Sequence, residues 1–154
     1  MPSIAVASRT FSKHAFLRKE LEKKFSNIVF NDKNLSLNGK DLVNFLQGHE
    51  SAITSLEKIN EDVLSKLPDL KMISKYGVGL DMIDLLAMKK YGKKLAWTPG
   101  VNKRSVSELA LSFAIALFHQ TPFANSQVKE GLWKQIKGRQ LTNCTFGIIG
   151  CGNI

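Results

Sequence analysis

Several things are scarce in this 154-residue sequence, and each scarcity excludes a class of protein. Cysteine occurs only at Cys144 and Cys151, a number and spacing that make neither a disulfide framework nor a metal-ligand set. The pair flanks the apolar run TFGIIG at 145–150, which reads as one buried strand with a cysteine near each end. A reduced, cytoplasmic setting is therefore expected. No apolar run approaches the ~18 residues of a membrane span, so no membrane partner is expected. The opening residues, MPSIAVASRTF, lack a basic stretch followed by a long apolar one, so a signal peptide is not expected either. Internal repeats and low-complexity tracts are missing.

Acid is also short: 13 Asp and Glu stand against 22 Lys and Arg, for a net charge of +9. Such an excess raises nucleic acid as a partner. The lysines, however, are scattered among acids on helix faces. In LRKELEKKF, Glu20 and Lys24 lie four apart and can pair. The densest basic run, MKKYGKK at 88–94, carries one aromatic and no repeat. Nucleic acid is not expected as a partner. A basic balance equally suits the handling of small anions or phosphates.

What is present is alternation. SIAVAS (3–8), NIVF (27–30), SAITS (51–55), LKMIS (70–74) and KLAWT (94–98) read as short apolar strands. Between them lie helical patterns. SKHAFLRKELEKKF (12–25) puts Phe16, Leu17 and Leu21 on one side. NGKDLVNFLQG (38–48) turns Leu42, Phe45 and Leu46 inward, with Gly48 as its stop. INEDVLSKLP (59–68) has Asn60 as its cap, and DMIDLLAMKKYG (81–92) follows the fourth strand. Short strands alternating with helices call for a parallel sheet covered on both faces. Residues 1–98 are thus expected to form a small doubly wound α/β unit.

Pro99-Gly100 breaks the pattern. KRSVSELALSFAIALFHQ (103–120) follows as a helix apolar nearly all round, with Val106, Leu109 and Phe113 on one side and Leu111 and Ile115 on another. Such a helix is expected to be buried between two bodies, either domains or subunits. TPFANSQVKEGLWKQ (121–135) reads as a second, more polar helix, and KGRQLTNCT leads into the last strand.

Three stretches carry chemistry. TFGIIGCGNI (145–154) passes from an apolar run into Gly150-Cys151-Gly152, which fills the first two places of the dinucleotide-binding turn G-x-G-x-x-G. In that turn the first glycine allows a tight bend and the second lets backbone approach a pyrophosphate. Taken alone, half a fingerprint is weak evidence, because turns after strands attract glycine anyway. SKYGVGLDMID (74–84) follows a strand and precedes a helix, at the carboxyl end of the sheet. Its Gly77 and Gly79 leave consecutive backbone N–H groups with little steric cover, which suits a carboxylate or phosphate; the competing reading is a purely structural β-to-α turn. Asp81 is placed to cap the helix after it. In WTPGVNKRSVSELAL (97–111), Ser105 or Ser107 can cap the apolar helix, whereas Asn102 sits at a hinge with no local need for its side chain.

Taken in order, SKYGVGLDMID, WTPGVNKRSVSELAL, GLWK (131–134) and LTNCTFGIIGCGNI resemble the D-isomer-specific 2-hydroxyacid dehydrogenase family, most nearly its phosphoglycerate dehydrogenase-like branch. The four motifs span about half of the chain; residues 1 to 70 agree in their α/β alternation but carry no diagnostic motif. The resemblance implies a flavodoxin-like doubly wound parallel sheet over 1–98 as the substrate domain, with 99–154 beginning the Rossmann domain that binds NAD, or NADP.

It further implies that the backbone N–H groups of Val78 and Gly79 hold the carboxylate of a small 2-hydroxy or 2-oxo acid, with Val78 also near the nicotinamide and Asn102 close to substrate. Gly150, Gly152, Asn153 and Ile154 match the phosphate-binding turn. The family often has Arg at the place of Asn153 and commonly has Asn where this chain has Met82. The catalytic arginine, glutamate and histidine of the family follow its glycine fingerprint, so no catalytic residue is assigned here. His14, His49 and His119 are read as structural or solvated. The 154 residues alone are expected to be inactive and to bind cofactor poorly, with a homodimer forming through the helix at 103–120. The alternative expectation is a non-catalytic dimerisation remnant of such an enzyme.

Overall fold

The computed structural model describes residues 2–154. They fall into two compact units, one ending at Pro99 and one running from Gly100 to Ile154.

The first unit is built on five parallel strands: β1 (Ile4–Val6), β2 (Ile28–Phe30), β3 (Ser51–Thr54), β4 (Met72–Lys75) and β5 (Lys94–Ala96). They lie in the order β2-β1-β3-β4-β5, which is the flavodoxin-like doubly wound arrangement. Alternate residues of each strand face opposite sides. Ala5, Ala7, Ala52 and Ile73 point toward α3 (Gly39–Leu46), α4 (Glu61–Leu64) and α5 (Leu85–Lys90), where Leu42, Leu46 and Leu64 complete the larger core. Ile4, Val6 and Phe30 point the other way, against Phe11 of α1 (Arg9–Lys13) and Leu21 of α2 (Ala15–Glu22). Helices therefore cover both faces, as the alternation predicts.

Local details depart from the expected pattern for identifiable reasons. The helix expected over 12–25 is two helices, because His14 adopts an extended backbone, ends α1 and caps α2 through its Nδ1 on the Leu17 N–H. Starting at Ala15 turns Leu21 toward the sheet, leaves Leu17 half-buried and puts Phe16 outside, 65% exposed rather than buried. Asp81 does not cap α5. Residues 82–84 are held in a short parallel bridge with Ile59, and the helix starts later, with Asp84 Oδ1 accepting from the Ala87 N–H at 2.9 Å. Asn60 caps α4 as expected, on the Val63 N–H at 3.2 Å.

One surface pair ties α4 to α5. The Glu61 carboxylate accepts from Lys90 Nζ and from Tyr91 Oη. The hydrogen bond and charge of Lys90 hold the Glu61 carboxyl below its ordinary range, and Glu61 raises the Lys90 ammonium in turn. A lowered carboxyl contributes stability that is present above its unfolded pKa and is lost as pH falls through its folded one. Glu61→Gln should therefore destabilise modestly at about pH 7, with the gap from the parent protein closing by about pH 3, as urea unfolding at the two pH values would measure.

The second unit holds α6 (Lys103–Phe118) and α7 (Thr121–Lys129), the latter stopping short of the expected 135. Neither Ser105 nor Ser107 caps α6. Asn102 occupies the cap position without a side-chain bond, and Ser107 Oγ donates back to the Lys103 carbonyl from inside the helix. No residue of α6 is buried; Leu111, Phe113 and Leu117 are 61%, 59% and 74% exposed. The expected apolar surface is there, and among the described residues nothing covers it. Nor is there a strand at 145–150. A strand needs a neighbouring ladder for its N–H and C=O groups, and the described residues of this unit include no other strand. Ile148 and Ile149 accordingly lie in solvent, Cys144 is half-buried and Cys151 exposed.

Candidate functional site

In a parallel sheet all β-to-α turns emerge at one end, so the sequence after β3 and the sequence after β4 meet there. The glycine turn, residues 76–84, is fastened at three points. At its start, the Tyr76 N–H donates to the Thr54 carbonyl at 2.7 Å, and the Tyr76 ring meets Phe11 edge-on with centroids 5.3 Å apart. At its far end, the Ile59 N–H donates to the Met82 carbonyl at 2.7 Å and the Asp84 N–H to the Ile59 carbonyl at 2.8 Å. Met82, which stands where the family commonly has Asn, thus contributes through its backbone. At the apex, Trp97 Nε1 donates to the Val78 carbonyl at 2.9 Å.

Between these anchors the amides are free. Among the described residues no acceptor takes the N–H of Gly77, Val78 or Gly79. Gly77 has φ +143°, a conformation that side-chain-bearing residues avoid. Gly77 and Gly79 are exposed and Val78 half-buried, so the donors stand at an accessible surface.

Two charges flank the turn, and pattern reasoning missed the first. Lys75, the last residue of β4, lays its Cε 3.5 Å from where a Cβ on Gly77 would sit, while its Nζ donates to the Ser55 carbonyl. The signal was available: the last residue of a strand delivers its side chain to the sheet end where the turns cluster. The second is Asp81, whose Oδ2 lies 3.1 Å from the corresponding Cβ position of Gly79. In the loop after β3, Glu57 is buried and its carboxylate accepts the Ser55 N–H at 2.6 Å. Thr54 Oγ1 is buried without a hydrogen-bond partner. The turn can chemically do one thing well, which is to donate adjacent backbone N–H groups to a small anion beside a lysine.

The remaining expected site residues belong to the second unit. Asn102 Oδ1 is buried and, among the described residues, unpartnered. The side chain of Asn153 packs against Gly100, its Cγ 3.2 Å from the position a Cβ there would take. Gly150 has φ +86°, as a tight bend requires, and no strand enters the turn. Gly150, Gly152, Asn153 and Ile154 are exposed. Among the described residues no group of His, Cys, Asp and Glu is arranged to hold a metal ion, and no helix is long and apolar enough to cross a membrane.

Comparison with known proteins follows the same line. The profile of the family described as D-isomer specific 2-hydroxyacid dehydrogenase, catalytic domain, matches residues 4–145. A hydroxypyruvate reductase of Thermotoga maritima is 38% identical over 104 residues, covering 66% of this chain and 34% of the relative. A D-3-phosphoglycerate dehydrogenase of Rattus norvegicus is 33% identical over 122 residues, covering 77% of this chain and 23% of the relative. The chain thus spans about a third or less of the length of these relatives. Among solved structures, a chain from Polaromonas described as a D-isomer specific 2-hydroxyacid dehydrogenase, NAD-binding, superposes with a TM-score of 0.81 at 25% identity, over 93% of this chain and 46% of that one.

Proposed function

The chain belongs to the D-isomer specific 2-hydroxyacid dehydrogenase family, and from that membership we propose that its first unit is the substrate domain of an NAD-dependent oxidoreductase acting on the CH–OH group of a small 2-hydroxy acid. The single observation that carries the proposal is the turn after β4, where the N–H groups of Val78 and Gly79 are unclaimed and accessible, with Lys75 on the Gly77 side and the Asp81 carboxylate on the Gly79 side. A carboxylate accepts two such donors more strongly than a neutral oxygen does, because the acceptor is charged. The carboxylate end is the part shared by 3-phosphoglycerate-like and lactate- or glyoxylate-like substrates, so the turn recognises the class rather than its member.

The second unit contributes the first elements of the NAD-binding domain, with Gly150, Gly152, Asn153 and Ile154 as the phosphate-side turn and Asn102 near substrate, while Val78 of the first unit is assigned to the nicotinamide end. NAD, when bound, supplies the hydride acceptor or donor at C2 of the acid. This chain's own residues bind and orient: the amide pair fixes the carboxylate and Lys75 adds positive charge beside it. Proton transfer and carbonyl polarisation need a base and a cation at the reacting carbon, and none of His14, His49 and His119 is ion-paired with an acid in the described residues. The 154 residues alone are therefore inactive in this proposal, and their setting is cytoplasmic.

The test is a titration of the 15N-labelled chain with glycolate, using methyl glycolate as the uncharged control. Val78 and Gly79 amides should shift saturably with the acid and not with the ester, while NADH with hydroxypyruvate shows no turnover above buffer. Equal response to the ester, or silence at those amides, refutes the site; turnover refutes the inactivity. A second reading, a non-catalytic dimerisation module, is favoured by the exposed apolar residues of α6. It predicts a stable homodimer in sedimentation with no amide response to either titrant.

A further inference from the structure

We propose that Trp97 is the positioning residue of the carboxylate-binding turn: its indole N–H pins the Val78 carbonyl and thereby aims the Gly79 N–H. The inference rests on the reading of the turn given above, and it concerns a residue that lies outside the glycine motif, at the exit of β5.

The geometry is that of one peptide unit. Trp97 Nε1 donates to the Val78 carbonyl oxygen at 2.9 Å. No peptide bond among the described residues is cis, so the C=O of Val78 and the N–H of Gly79 point in opposite directions from one plane. Fixing the oxygen toward the indole fixes the hydrogen away from it. Among the described residues no other hydrogen bond is made by the Val78–Gly79 peptide itself. The turn's other anchors act at Tyr76, at Leu80, whose carbonyl accepts from the Ile83 N–H at 2.8 Å and whose side chain packs on the larger core, and at Met82 to Asp84, while glycine at 77 and 79 puts no side-chain constraint on the peptides between. A donor that must meet a small anion gains from being held before the anion arrives, since ordering it on binding costs affinity. The alternative, that Trp97 simply fills space, fits poorly with a side chain that is 39% exposed and whose one polar atom meets the apex of the turn.

The experiment uses the whole chain and the variant Trp97→Phe, which keeps an aromatic ring and deletes the N–H. In the parent protein the Trp97 indole proton should exchange with solvent more slowly than that of Trp133, which is 89% exposed and serves as the internal reference. In the variant, 15N relaxation should report faster motion at Val78 to Leu80 with the amides of Leu42 and Ile73 unchanged, and the dissociation constant for glycolate should rise by about fivefold to tenfold. Unchanged turn mobility together with unchanged affinity overturns the proposal. Weaker binding without a change in mobility also overturns it, because the ring would then act by contact. If the parent protein shows no glycolate response, the reading of the site fails, while the indole exchange and the relaxation data still decide whether Trp97 holds the turn. Should the variant unfold, the indole exchange in the parent protein decides alone.

Discussion

Replacing Asn31 by alanine should lower the unfolding free energy by about 3 kcal/mol, a large part of the stability of a small domain. Asn31 follows β2 and is buried, and its side chain acts in three directions. Nδ2 donates to the Ala7 carbonyl at 3.0 Å and to the Leu35 carbonyl at 2.9 Å, while Oδ1 accepts the Leu35 N–H at 2.9 Å. Its backbone N–H is taken by the Val6 carbonyl and by Ser12 Oγ, which itself donates to Val6. One residue thus binds the exit of β1, the exit of β2 and the loop leading to α3. Alanine removes three bonds worth about 1 kcal/mol each and strands the Ala7 carbonyl, on a residue with no exposure, without a donor. Asn31→Asp should fare no better, because a carboxylate keeps the acceptor but meets two carbonyls with no hydrogen to give. Urea unfolding of both variants checks the result: a loss below about 1 kcal/mol in either would mean that water replaces the side chain.

Asn31 also shows what the sequence could not disclose. Strand and helix periods are local, so Leu42 and Leu46, the five strands and the Asn60 cap were all legible. A polar side chain that links two strand ends across 24 residues leaves no periodic trace. The same distinction runs through the site. Gly77 and Gly79 announced a turn by type and spacing, whereas Trp97 reaches Val78 from the exit of β5 and Lys75 arrives through sheet geometry, so neither stood out. The misread helix start at Asp81 has the same cause: the bridge to Ile59 is a tertiary contact, and it delays the helix that local capping rules would begin sooner. In the second unit the failure is of a different kind. The composition of α6 and of 145–150 points to a covering body, and among the described residues none covers them.

Gly77→Ala should produce the largest functional loss of any single methyl group added to this chain. At φ +143° a Cβ collides with its own backbone, and the cost is of order 1–3 kcal/mol even though the only neighbour, Lys75 Cε, is a flexible chain end 3.5 Å away. The turn can relieve that strain only by rotating the peptides on either side, which carry the Val78 and Gly79 N–H groups off their shared direction. In the proposed site two donors act on one carboxylate, so misdirecting them should weaken glycolate binding at least tenfold. Stability alone would not prove the point, and Gly48→Ala provides the comparison. Gly48 has φ +76° at the end of α3, with nothing within 4 Å of a Cβ there, and its replacement should cost about 1 kcal/mol while leaving ligand response intact. The measurement is paired urea unfolding and amide titration of both variants. If both lose binding in proportion to stability, the turn has no special part in recognition. Loss confined to Gly77→Ala would mean that the carboxylate is held by backbone whose direction only glycine permits.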